Sequence, residues 1–538
     1  MAVLELSHVG LAIGDTPILH DLSFAIGEGE IMGLVGESGS GKSMTALSIM
    51  HLLPRDARLT GRIALDGESL TDLGESALCQ RRGRDMSMVF QEPMTALNPV
   101  RTIGDQIAET VRIHRDVGRA DAERLTREVM ARVELDPDRF PLDRYPHDLS
   151  GGQRQRVMIA MAIILRPKLL IADEPTTALD VTTQARILDL MKRLVDEDGM
   201  SLLLITHDLA VVAGLADHVA IMKDGAIVEA GGTVALFRSL RHPYSRGLFA
   251  ASAHVPARNR RPVREDETPI LAASGLVHDY RLPRRSLLRA PGTFRAVDHV
   301  DVEIGRGENV GLVGESGCGK STLARALLAL VAPTAGGVVL DGRDFLRSSG
   351  RARNDLRRHI QAVFQDPYGS FDPRHRVERL VAEPFHLLER KPGAGERRRL
   401  VEEALVNVGL APSDADKYPH EFSGGQRQRI AIARALITRP SLIVLDEAVS
   451  ALDVSIRAQI LDLLADLSDR LGVSYLFISH DLTVVRAITD RVLIMRAGRI
   501  VEEGATETVF ASPSHPYTAS LIAATPDLAR AIAARQGV

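Results

Sequence analysis

Short apolar runs alternate with longer amphipathic stretches along the chain, and glycine or charged residues bound many of these runs. This pattern predicts buried strands over residues 30–35, 168–172, 202–205, 309–313, 442–445 and 475–478. Two stretches, 157–165 and 430–437, have the apolar spacing of helix interiors. Strands that alternate with helices favour an α/β fold with a largely parallel sheet.

Five sequence blocks occur twice in the same order. GESGSGKS returns as GESGCGKS, VFQEP as VFQDP, YPHDLSGGQRQR as YPHEFSGGQRQR, IADEP as VLDEA, and ITHDL as ISHDL. The last three pairs are all offset by 273 positions, as in 423 − 150. So long a period indicates a duplicated domain and not a solenoid repeat. We predict a first domain over 1–252, a polar, arginine-rich linker over 253–268 and a second domain over 269–538.

The composition argues against several functional classes of protein. The 538 residues are 45% hydrophobic and 25% charged, as in globular proteins. A net charge of −4 gives no support to a protein that coats nucleic acid, so no nucleic-acid partner is expected. Two cysteines, Cys79 and Cys318, are too few for a disulfide framework and are typical of a reducing cytosol. We expect neither a membrane span nor a secretory signal.

Each copy has the pattern Gly-x4-Gly-Lys-Ser directly after a predicted strand. Glycines let backbone amides turn towards an anion, and the following helix adds its positive N-terminus. We expect Lys42 and Lys320 to reach the terminal phosphates of a nucleotide, and Ser43 and Ser321 to ligate Mg²⁺. The alternative is a glycine turn that merely opens a helix, and two matching occurrences weigh against it.

Each copy also has an apolar run that ends in two acids, Asp173-Glu174 and Asp446-Glu447. Such a strand delivers both carboxylates to the carboxyl edge of a parallel sheet, where ligands bind. We expect Asp173 and Asp446 to hold Mg²⁺, and Glu174 and Glu447 to polarise the attacking water. Strand-end acids that merely face solvent are the alternative.

Two further polar residues follow apolar runs in each copy: Gln91 and His207 in the first, Gln365 and His480 in the second. An amide both donates and accepts hydrogen bonds, which suits a contact with Mg²⁺ and water. A strand-end imidazole suits a hydrogen bond to the γ-phosphate. Taken singly, such residues are more often structural, so these predictions depend on the neighbouring motifs.

The motif Ser-Gly-Gly-Gln precedes an arginine-containing helix at residues 150–153 and again at 423–426. Small residues at a helix start can bind an anion through backbone amides and a serine hydroxyl, but an ordinary serine N-cap has the same pattern. One nucleotide needs only one P-loop. The residues alone therefore leave the purpose of a second anion site open.

The ordered set of P-loop, glutamine, Ser-Gly-Gly-Gln signature, Asp-Glu strand, Ala-Leu-Asp turn and histidine resembles the ATP-binding subunits of ABC transporters. The resemblance covers nearly the whole chain. It implies two tandem P-loop NTPase domains, each with a mainly parallel RecA-like core, an antiparallel β subdomain and a helical signature subdomain. In that family two domains pack head to tail, and each ATP lies between one P-loop and the other signature.

The resemblance implies two composite sites for ATP and Mg²⁺. Its catalytic residues would be Glu174, His207, Glu447 and His480, and its metal ligands Ser43, Gln91, Asp173, Ser321, Gln365 and Asp446. Nucleotide contacts in the first site would be Gly36, Ser38, Gly39, Gly41, Lys42, Ser43, Met44 and Gln91, with Ser423, Gly425 and Gln426. Those in the second would be Tyr280, Gly314, Ser316, Gly317, Gly319, Lys320, Ser321, Thr322 and Gln365, with Ser150, Gly152 and Gln153. Asp180 and Asp453 match the aspartates that cross the interface.

Local motifs narrow the resemblance to the oligopeptide, dipeptide and nickel importers, including fused peptide-import ATPases of the microcin C type. These motifs are QEPMTALNP, QDPYGSFDPR, the YPH tripeptides, HPYSRGL and HPYTASL. The resemblance implies two membrane permease subunits that dock after Gln91 and Gln365, and a periplasmic substrate-binding protein. It also implies a peripheral location at the cytoplasmic face of the bacterial inner membrane. The cargo stays open among dipeptides, longer peptides, nickel chelates and antibiotic peptides.

The chain departs from the family pattern in three places. Ala448-Val449 replaces Pro-Thr after the second catalytic acid, yet activity is expected at both sites because the acids remain. Tyr280 fits an adenine-stacking role in the second copy, whereas residues 11–14 offer no aromatic. No cysteine lies in the region after the HPY motif of either copy, so no iron–sulfur cluster is expected, and Cys318, inside the second P-loop, is interpreted as a small filler. The arginine-rich insert 281–295 is predicted to be a solvated loop, with a permease or anionic-lipid contact as the alternative.

Two other functions are compatible with parts of this motif set. A tandem ABC ATPase that acts on ribosomes or DNA is disfavoured by the short linker and by the lack of zinc-binding cysteines. A non-catalytic, nucleotide-gated scaffold is disfavoured by the presence of Glu174 and Glu447. An importer's ATP-hydrolysing, energy-coupling subunit remains the leading hypothesis.

Overall fold

The computed structural model describes residues 2–177, 179–258, 268–282, 292–366, 369–450 and 452–535. In this part of the chain, no helix is long and apolar enough to span a bilayer. The two halves have the same order of sheets, as the duplicated blocks predict.

The first half is built from alternating strands and helices. Its strands are β1 (Ala2–Ile13), β2 (Thr16–Gly27), β3 (Ile31–Val35), β4 (Ala57–Leu65), β5 (Glu68–Ser69), β6 (Met86–Val89), β7 (Leu169–Asp173), β8 (Ser201–Thr206), β9 (His218–Lys223) and β10 (Ala226–Gly232). Its helices are α1 (Lys42–Ile49), α2 (Glu75–Arg81), α3 (Pro93–Ala96), α4 (Ile103–His114), α5 (Arg119–Arg132), α6 (Gly151–Ile163), α7 (Val181–Asp198), α8 (Leu209–Leu215), α9 (Thr233–Arg238) and α10 (Pro243–Ser252).

The second half repeats this order. Its strands are β11 (Leu271–Arg281), β12 (Thr293–Ile304), β13 (Asn309–Val313), β14 (Ala335–Leu340), β15 (Arg343–Asp344), β16 (Ile360–Val363), β17 (Leu442–Asp446), β18 (Ser474–Ser479), β19 (Arg491–Arg496) and β20 (Arg499–Ala505). Its helices are α11 (Lys320–Leu327), α12 (Gly350–His359), α13 (Val377–Val381), α14 (Ala394–Asn407), α15 (Gly424–Leu436), α16 (Val454–Leu471), α17 (Leu482–Ile488), α18 (Thr506–Ala511), α19 (Pro516–Ala524) and α20 (Leu528–Arg535). The strands and helix interiors predicted from the apolar pattern are all present.

Each half has one mainly parallel sheet and one antiparallel sheet, which confirms the predicted α/β fold. The main sheets have the orders β10-β9-β3-β8-β7-β6 and β20-β19-β13-β18-β17-β16, with β10 and β20 antiparallel to their neighbours. In β3, β7 and β8, all residues are buried, which explains their continuous apolar sequences. Because Val35 pairs with Thr206 and Asp173 with Ile205, three strands end at the same edge of the sheet.

The helical subdomain of each half packs on the helix that follows the signature. In the first half α4 and α5 contact α6, and in the second half α13 and α14 contact α15. Val157 and Ile430, at corresponding positions of α6 and α15, are fully buried. The signatures therefore begin helices whose interiors are fixed by apolar packing.

The first residues of the predicted linker contact the second half of the chain. His254 lies 2.7 Å from Asp462 on α16, and Arg258 donates to the carboxylate of Asp490 at 3.1 and 3.2 Å. Residues 253–258 therefore lie against the second half, while 259–267 are outside the described residues. Of the arginine-rich insert, β11 and β12 take the two ends, so those ends are strands and not loop; residues 283–291 are not among the described ones.

Candidate active sites

The first P-loop connects β3 to α1 and has the shape of an anion cradle. Gly39 and Gly41 have φ values of 81° and 100°, a region that L-residues rarely adopt. A Cβ built on Gly39 meets no atom within 4 Å, so the space beside this residue is open. Lys42 Nζ donates to the carbonyls of Gly36 and Glu37 at 2.8 and 2.9 Å, which holds the ammonium group across the loop.

The second P-loop has the same geometry between β13 and α11. Gly317 and Gly319 have φ values of 79° and 113°, and Lys320 Nζ donates to the carbonyls of residues 314 and 315 at 2.7 and 2.9 Å. Cys318 is buried inside this loop, and burial raises the pKa of its thiol. Tyr280 lies beside the loop helix, with its Oη 3.3 Å from Thr322 Oγ1.

Tyr280 has an aliphatic counterpart in the first half. Leu4 pairs with Ile26 as Leu271 pairs with Ile304, so Tyr280, nine positions after Leu271, corresponds to Ile13. The position where the family resemblance implies adenine stacking is therefore aromatic in the second half and aliphatic in the first.

Glu174 is held at the carboxyl edge of the first sheet by three hydrogen bonds. Its carboxylate accepts from Gln91 Nε2 at 2.9 Å and from Thr177 Oγ1 at 2.9 Å, and lies 3.2 Å from His207 Nδ1. Burial opposes its charge, but the bonds from His207 and Thr177 and the charge of Lys42 outweigh burial and lower its pKa to about 2. Its φ of 46° is a strained conformation for a residue with a side chain.

Glu447 has the same strained backbone, with a φ of 51°, and lies 3.2 Å from His480 Nδ1. Burial opposes its charge here too, and His480 and Lys320 lower its pKa. The neighbouring hydroxyl differs: Ser450 donates to the backbone carbonyl of Glu447, where Thr177 donates to the carboxylate of Glu174. The replacement residues Ala448 and Val449 are buried in the core. The second acid thus keeps its position in a different local hydrogen-bond pattern.

The carboxylates of Asp173 and Asp446 fit a divalent cation. Asp173 Oδ1 is buried without a hydrogen-bond partner among the described residues, and burial raises the pKa of this carboxyl. Asp446 is half-buried, desolvation raises its pKa as well, and it accepts from Ser321 Oγ at 3.5 Å. Oxygen donors of this kind, left partly unsatisfied beside a phosphate cradle, suit Mg²⁺. The metal assignment itself stays a prediction.

The signature residues form serine N-caps of α6 and α15, as the alternative interpretation anticipated. Ser150 accepts from Gln153 N at 3.4 Å while Gln153 Oε1 accepts from Ser150 N at 2.9 Å, and Ser423 and Gln426 form the same reciprocal pair. Gly152 is required by packing, because a Cβ there would lie 2.4 Å from Thr183 Cγ2. A cap and an anion contact are compatible, since amides of the first turn still point outward.

The two halves meet through the turns that precede α7 and α16. Asp453 Oδ1 accepts from Ser38 N at 2.7 Å and from Ser38 Oγ at 2.8 Å. In the other direction the backbone amide of Ser316 bonds to Asp180, and Thr182 Oγ1 donates to Glu315 Oε1 at 2.8 Å. Each P-loop therefore contacts the aspartate turn of the other half, which is the head-to-tail relation that the resemblance implies.

Sequence reasoning missed several residues that shape the sites. Asp208 and Asp481, directly after the two histidines, cap α8 and α17. Tyr244 and Tyr517 of the HPY motifs accept hydrogen bonds from P-loop amides. The aspartate N-caps had a local signal in the Asp-Leu pair after each histidine, whereas the tyrosine contacts join residues 207 and 202 positions apart and had none.

Comparisons with known proteins show the family to which the chain belongs. A family model for ABC transporters matches residues 19–177 and 297–450. A second model, for the C-terminal region of oligopeptide/dipeptide transporters, matches residues 228–275 and 501–537. Glutathione import ATP-binding proteins GsiA from Shigella dysenteriae serotype 1 (strain Sd197) and Escherichia coli (strain K12) are 46% identical, over 94% of this chain and 86% of each relative. A dimeric ATP-binding cassette solved in a post-hydrolysis state with ADP and Pi is 28% identical, with a TM-score of 0.40 over 44% of this chain and 98% of that one.

The family models and the similarity to the import ATP-binding proteins confirm the family that the sequence motifs indicated. Both cassette matches contain a P-loop and the Asp-Glu strand end, and both C-terminal matches include or adjoin the HPY segments. The chain belongs to the ABC transporter family and is one of its ATPases, with two cassettes that are each followed by the C-terminal region of oligopeptide/dipeptide transporters.

Proposed function

We propose that this chain hydrolyses ATP at two composite sites and thereby drives the import of peptides or peptide-like solutes through separate permease subunits. One observation supports the composite sites most directly: Asp453 of the second cassette holds Ser38 in the P-loop of the first. The contacts in both directions between the cassettes support an arrangement in which two nucleotides are shared. Whether each signature completes the opposite site is part of the proposal.

In the first site, the P-loop amides and Lys42 bind the phosphates of the substrate ATP. Ser43, Asp173 and Gln91 would hold Mg²⁺, which supplies positive charge to the phosphate oxygens. Glu174 stays ionised because its pKa is about 2, and so it can orient and polarise the attacking water. His207, within 3.2 Å of that carboxylate, fixes its direction.

In the second site the same tasks fall to Lys320, Ser321, Asp446, Gln365 and Glu447. We propose that both sites turn over, since the two catalytic acids share a strained backbone and a histidine neighbour. The different hydroxyl contacts of Thr177 and Ser450 are a reason for the two rates to be unequal.

Exposed apolar side chains near the two glutamines support docking to a membrane protein. Phe90, Met94 and Val100 are 39%, 57% and 79% exposed in the first cassette, and Phe364 is 37% exposed in the second. Exposed apolar side chains in these segments suit contact with apolar partner helices, which supports the proposal of two permease partners. A periplasmic substrate-binding protein and a peripheral position at the cytoplasmic face of the inner membrane are proposed from the family alone.

The peptide-like cargo is proposed from two lines of support. The C-terminal regions match those of oligopeptide/dipeptide transporters, and the relatives compared above are named for glutathione import. Glutathione, a tripeptide-like thiol, is accordingly the first cargo to test. A short peptide without a thiol is the second.

The decisive experiment combines catalysis with partner identity. Replacing both acids, E174Q with E447Q, should lower ATP turnover by about 100-fold or more, since positioned general bases contribute on that scale. E197Q, a surface change on α7, is the matched control and should have no effect.

Purification in mild detergent should then retain hydrophobic permeases, and uptake of labelled glutathione or dipeptide should require both acids. Retention of ribosomes in place of permeases would overturn the importer proposal.

A further inference from the structure

The HPY tails, residues 242–252 and 515–524, reach the P-loops of their own cassettes. Tyr244 Oη accepts a hydrogen bond from the amide of Glu37 at 3.1 Å, and Tyr517 Oη accepts one from the amide of Glu315 at 3.0 Å. Both amides belong to the second residue of a P-loop. The contact is therefore duplicated at corresponding positions, as expected for a feature that both cassettes use.

Each tyrosine is held in place by a short chain of polar contacts. In the first tail, Glu229 on β10 accepts from the amides of Arg241 and His242 at 2.7 and 3.2 Å, and His242 Nδ1 accepts from Tyr244 N at 3.2 Å. Proline follows the histidine at the first helical position, where it costs no hydrogen bond. The histidine thus caps α10, the proline starts it, and the tyrosine is the residue that reaches the P-loop.

The second tail repeats this construction. Glu502 accepts from the amides of Ser514 and His515 at 2.7 and 3.1 Å, and His515 Nδ1 accepts from Tyr517 N at 3.1 Å. A cation lies over each phenol ring: Lys223 at 5.3 Å from the Tyr244 ring and Arg496 at 4.9 Å from the Tyr517 ring. Burial raises the pKa of both tyrosines to about 12, so the hydroxyls stay neutral at physiological pH.

The next P-loop amide is held by the opposite cassette. Tyr244 holds Glu37 N from within the first cassette, while Asp453 of the second cassette holds Ser38 N at 2.7 Å. Helix α10, which carries Tyr244, also packs on α16, which begins directly after Asp453. Two consecutive amides of one loop are therefore fixed by two elements that also contact each other.

We propose that Tyr244 and Tyr517 are positioning residues of the two ATP sites, each holding the first turn of its P-loop in the shape that the opposite aspartate and the phosphates of ATP require. This inference rests on the composite sites of the proposed function. The inference gives each HPY tail a role at the ATP site of its own cassette. The HPY motif by itself indicates only to which branch of the family the chain belongs. The hydroxyl, and not the ring, carries the role, because the ring faces a cation and the hydroxyl faces the loop.

The test replaces tyrosine by phenylalanine, which keeps the ring and removes the hydroxyl. Amide hydrogen exchange is measured in nucleotide-free protein, on peptides that cover residues 36–42 and 314–320. Y244F should speed exchange in the first loop by about 3- to 10-fold, the usual scale for loss of one hydrogen bond, and leave the second loop unchanged. Y517F should do the reverse. Y145F, which alters an exposed tyrosine before the signature, is the matched control.

A second measurement connects the loop to the nucleotide. In the E174Q and E447Q background, Kd for a fluorescent ATP analogue should rise by about 3- to 10-fold for Y244F combined with Y517F. In the otherwise unmodified chain, KM for ATP should rise by a similar factor while kcat changes less than twofold. The loss of ATP-binding free energy in the variant with both D453A and Y244F should be smaller than the sum of the losses in the two single variants, because both residues act on the same loop.

Three outcomes would overturn the inference: equal exchange in all variants, faster exchange spread over both loops by either single change, or a fall in kcat with KM unchanged. The exchange experiment contains no nucleotide and does not depend on turnover. A failure of the proposed function would appear instead as wild-type protein without ATP turnover or without permease partners, so the two failures are distinguishable.

Discussion

Asp453 accepts two hydrogen bonds from Ser38, one from the backbone amide and one from the hydroxyl, across the boundary between the two cassettes. The carboxylate of the reciprocal residue Asp180 accepts hydrogen bonds from two elements. It caps its own helix α7 by accepting from Thr183 N at 3.0 Å, and it accepts from the amide of Ser316 in the P-loop of the second cassette. The two aspartate contacts between the cassettes therefore lie at corresponding positions but differ in their hydrogen bonds. Asp453 acts on the other cassette, whereas Asp180 also stabilises α7.

The first prediction concerns D453A, which removes the acceptor for both Ser38 bonds. Hydrogen bonds to a charged group are worth about 1.5–3 kcal/mol, so cassette closure and ATP turnover should fall by about 10-fold or more. D180A should lower turnover as well and should also lower the melting temperature, since it removes a helix cap worth about 1 kcal/mol. Steady-state phosphate release and thermal unfolding measure the two effects.

D466A supplies the control for D453A. Asp466 lies on the same helix α16, is half exposed and pairs with Arg470 four residues later. Such surface pairs contribute about 0–1 kcal/mol, so turnover should stay at the wild-type level. Equal losses of turnover in D466A and D453A would show that the Ser38 contact is not what matters.

Much of the fold followed from the sequence because its signals are local. The strand before Gly36 and the strand that ends at Asp173 are short, apolar up to the motif residues that bound them, and both lie where the pattern placed them. Because the domain is duplicated, two separate stretches of sequence predict each of these strands. What a single sequence could not supply is contact between distant segments, such as Tyr244 with the amide of Glu37 or Arg258 with Asp490.

The predicted linker shows why contacts between distant segments do not follow from a single sequence. Its arginines and prolines are typical of a solvated connection, and the composition carries no information on which carboxylate an arginine meets. In the structure the side chain of Arg258 is only 7% exposed and its partner Asp490 is 16% exposed. Tertiary packing therefore turned part of a polar segment into an interface between the two cassettes.

Asp173 provides a prediction about magnesium. Its Oδ1 is buried without a hydrogen-bond partner among the described residues, which is costly unless a cation binds there. D173N should raise the melting temperature of metal-free protein, because an amide is cheaper to bury than a carboxylate. In the E174Q and E447Q background it should also abolish the difference in ATP affinity between Mg²⁺ and EDTA at the first site. D196N, on the exposed face of α7, should change neither quantity.

Tyr280 provides a prediction about the base. With the first site disabled by K42A, Y280A should weaken binding of a fluorescent ATP analogue by about 5-fold or more, since stacking of a base on an aromatic ring is worth about 1–3 kcal/mol. Y280F should bind like wild type, because the ring and not the hydroxyl makes the contact. F294A changes the register partner of Tyr280 on β12, which is 51% exposed, and should have no effect. A loss of affinity in Y280F would instead point to the hydroxyl and its Thr322 contact.

Arg258 and Arg535, which follow the two HPY tails in the chain, give a matched pair of stability predictions. Arg258 forms two bonds to Asp490 and a further one to the carbonyl of Ile488, at the end of α17. Arg535, 26% exposed at the end of α20, approaches Asp217 no closer than 3.9 Å. R258A should destabilise the chain by about 3 kcal/mol, because it leaves the largely buried carboxylate of Asp490 without its cationic partner, whereas R535A should cost about 1 kcal/mol or less. Asp490 also accepts from the amide of Asn309, where the strand to the second P-loop begins, so R258A should lower ATP affinity at that site in addition. Urea unfolding of the two variants side by side decides the matter: equal midpoints would mean that the buried pair holds the cassettes no better than the exposed one.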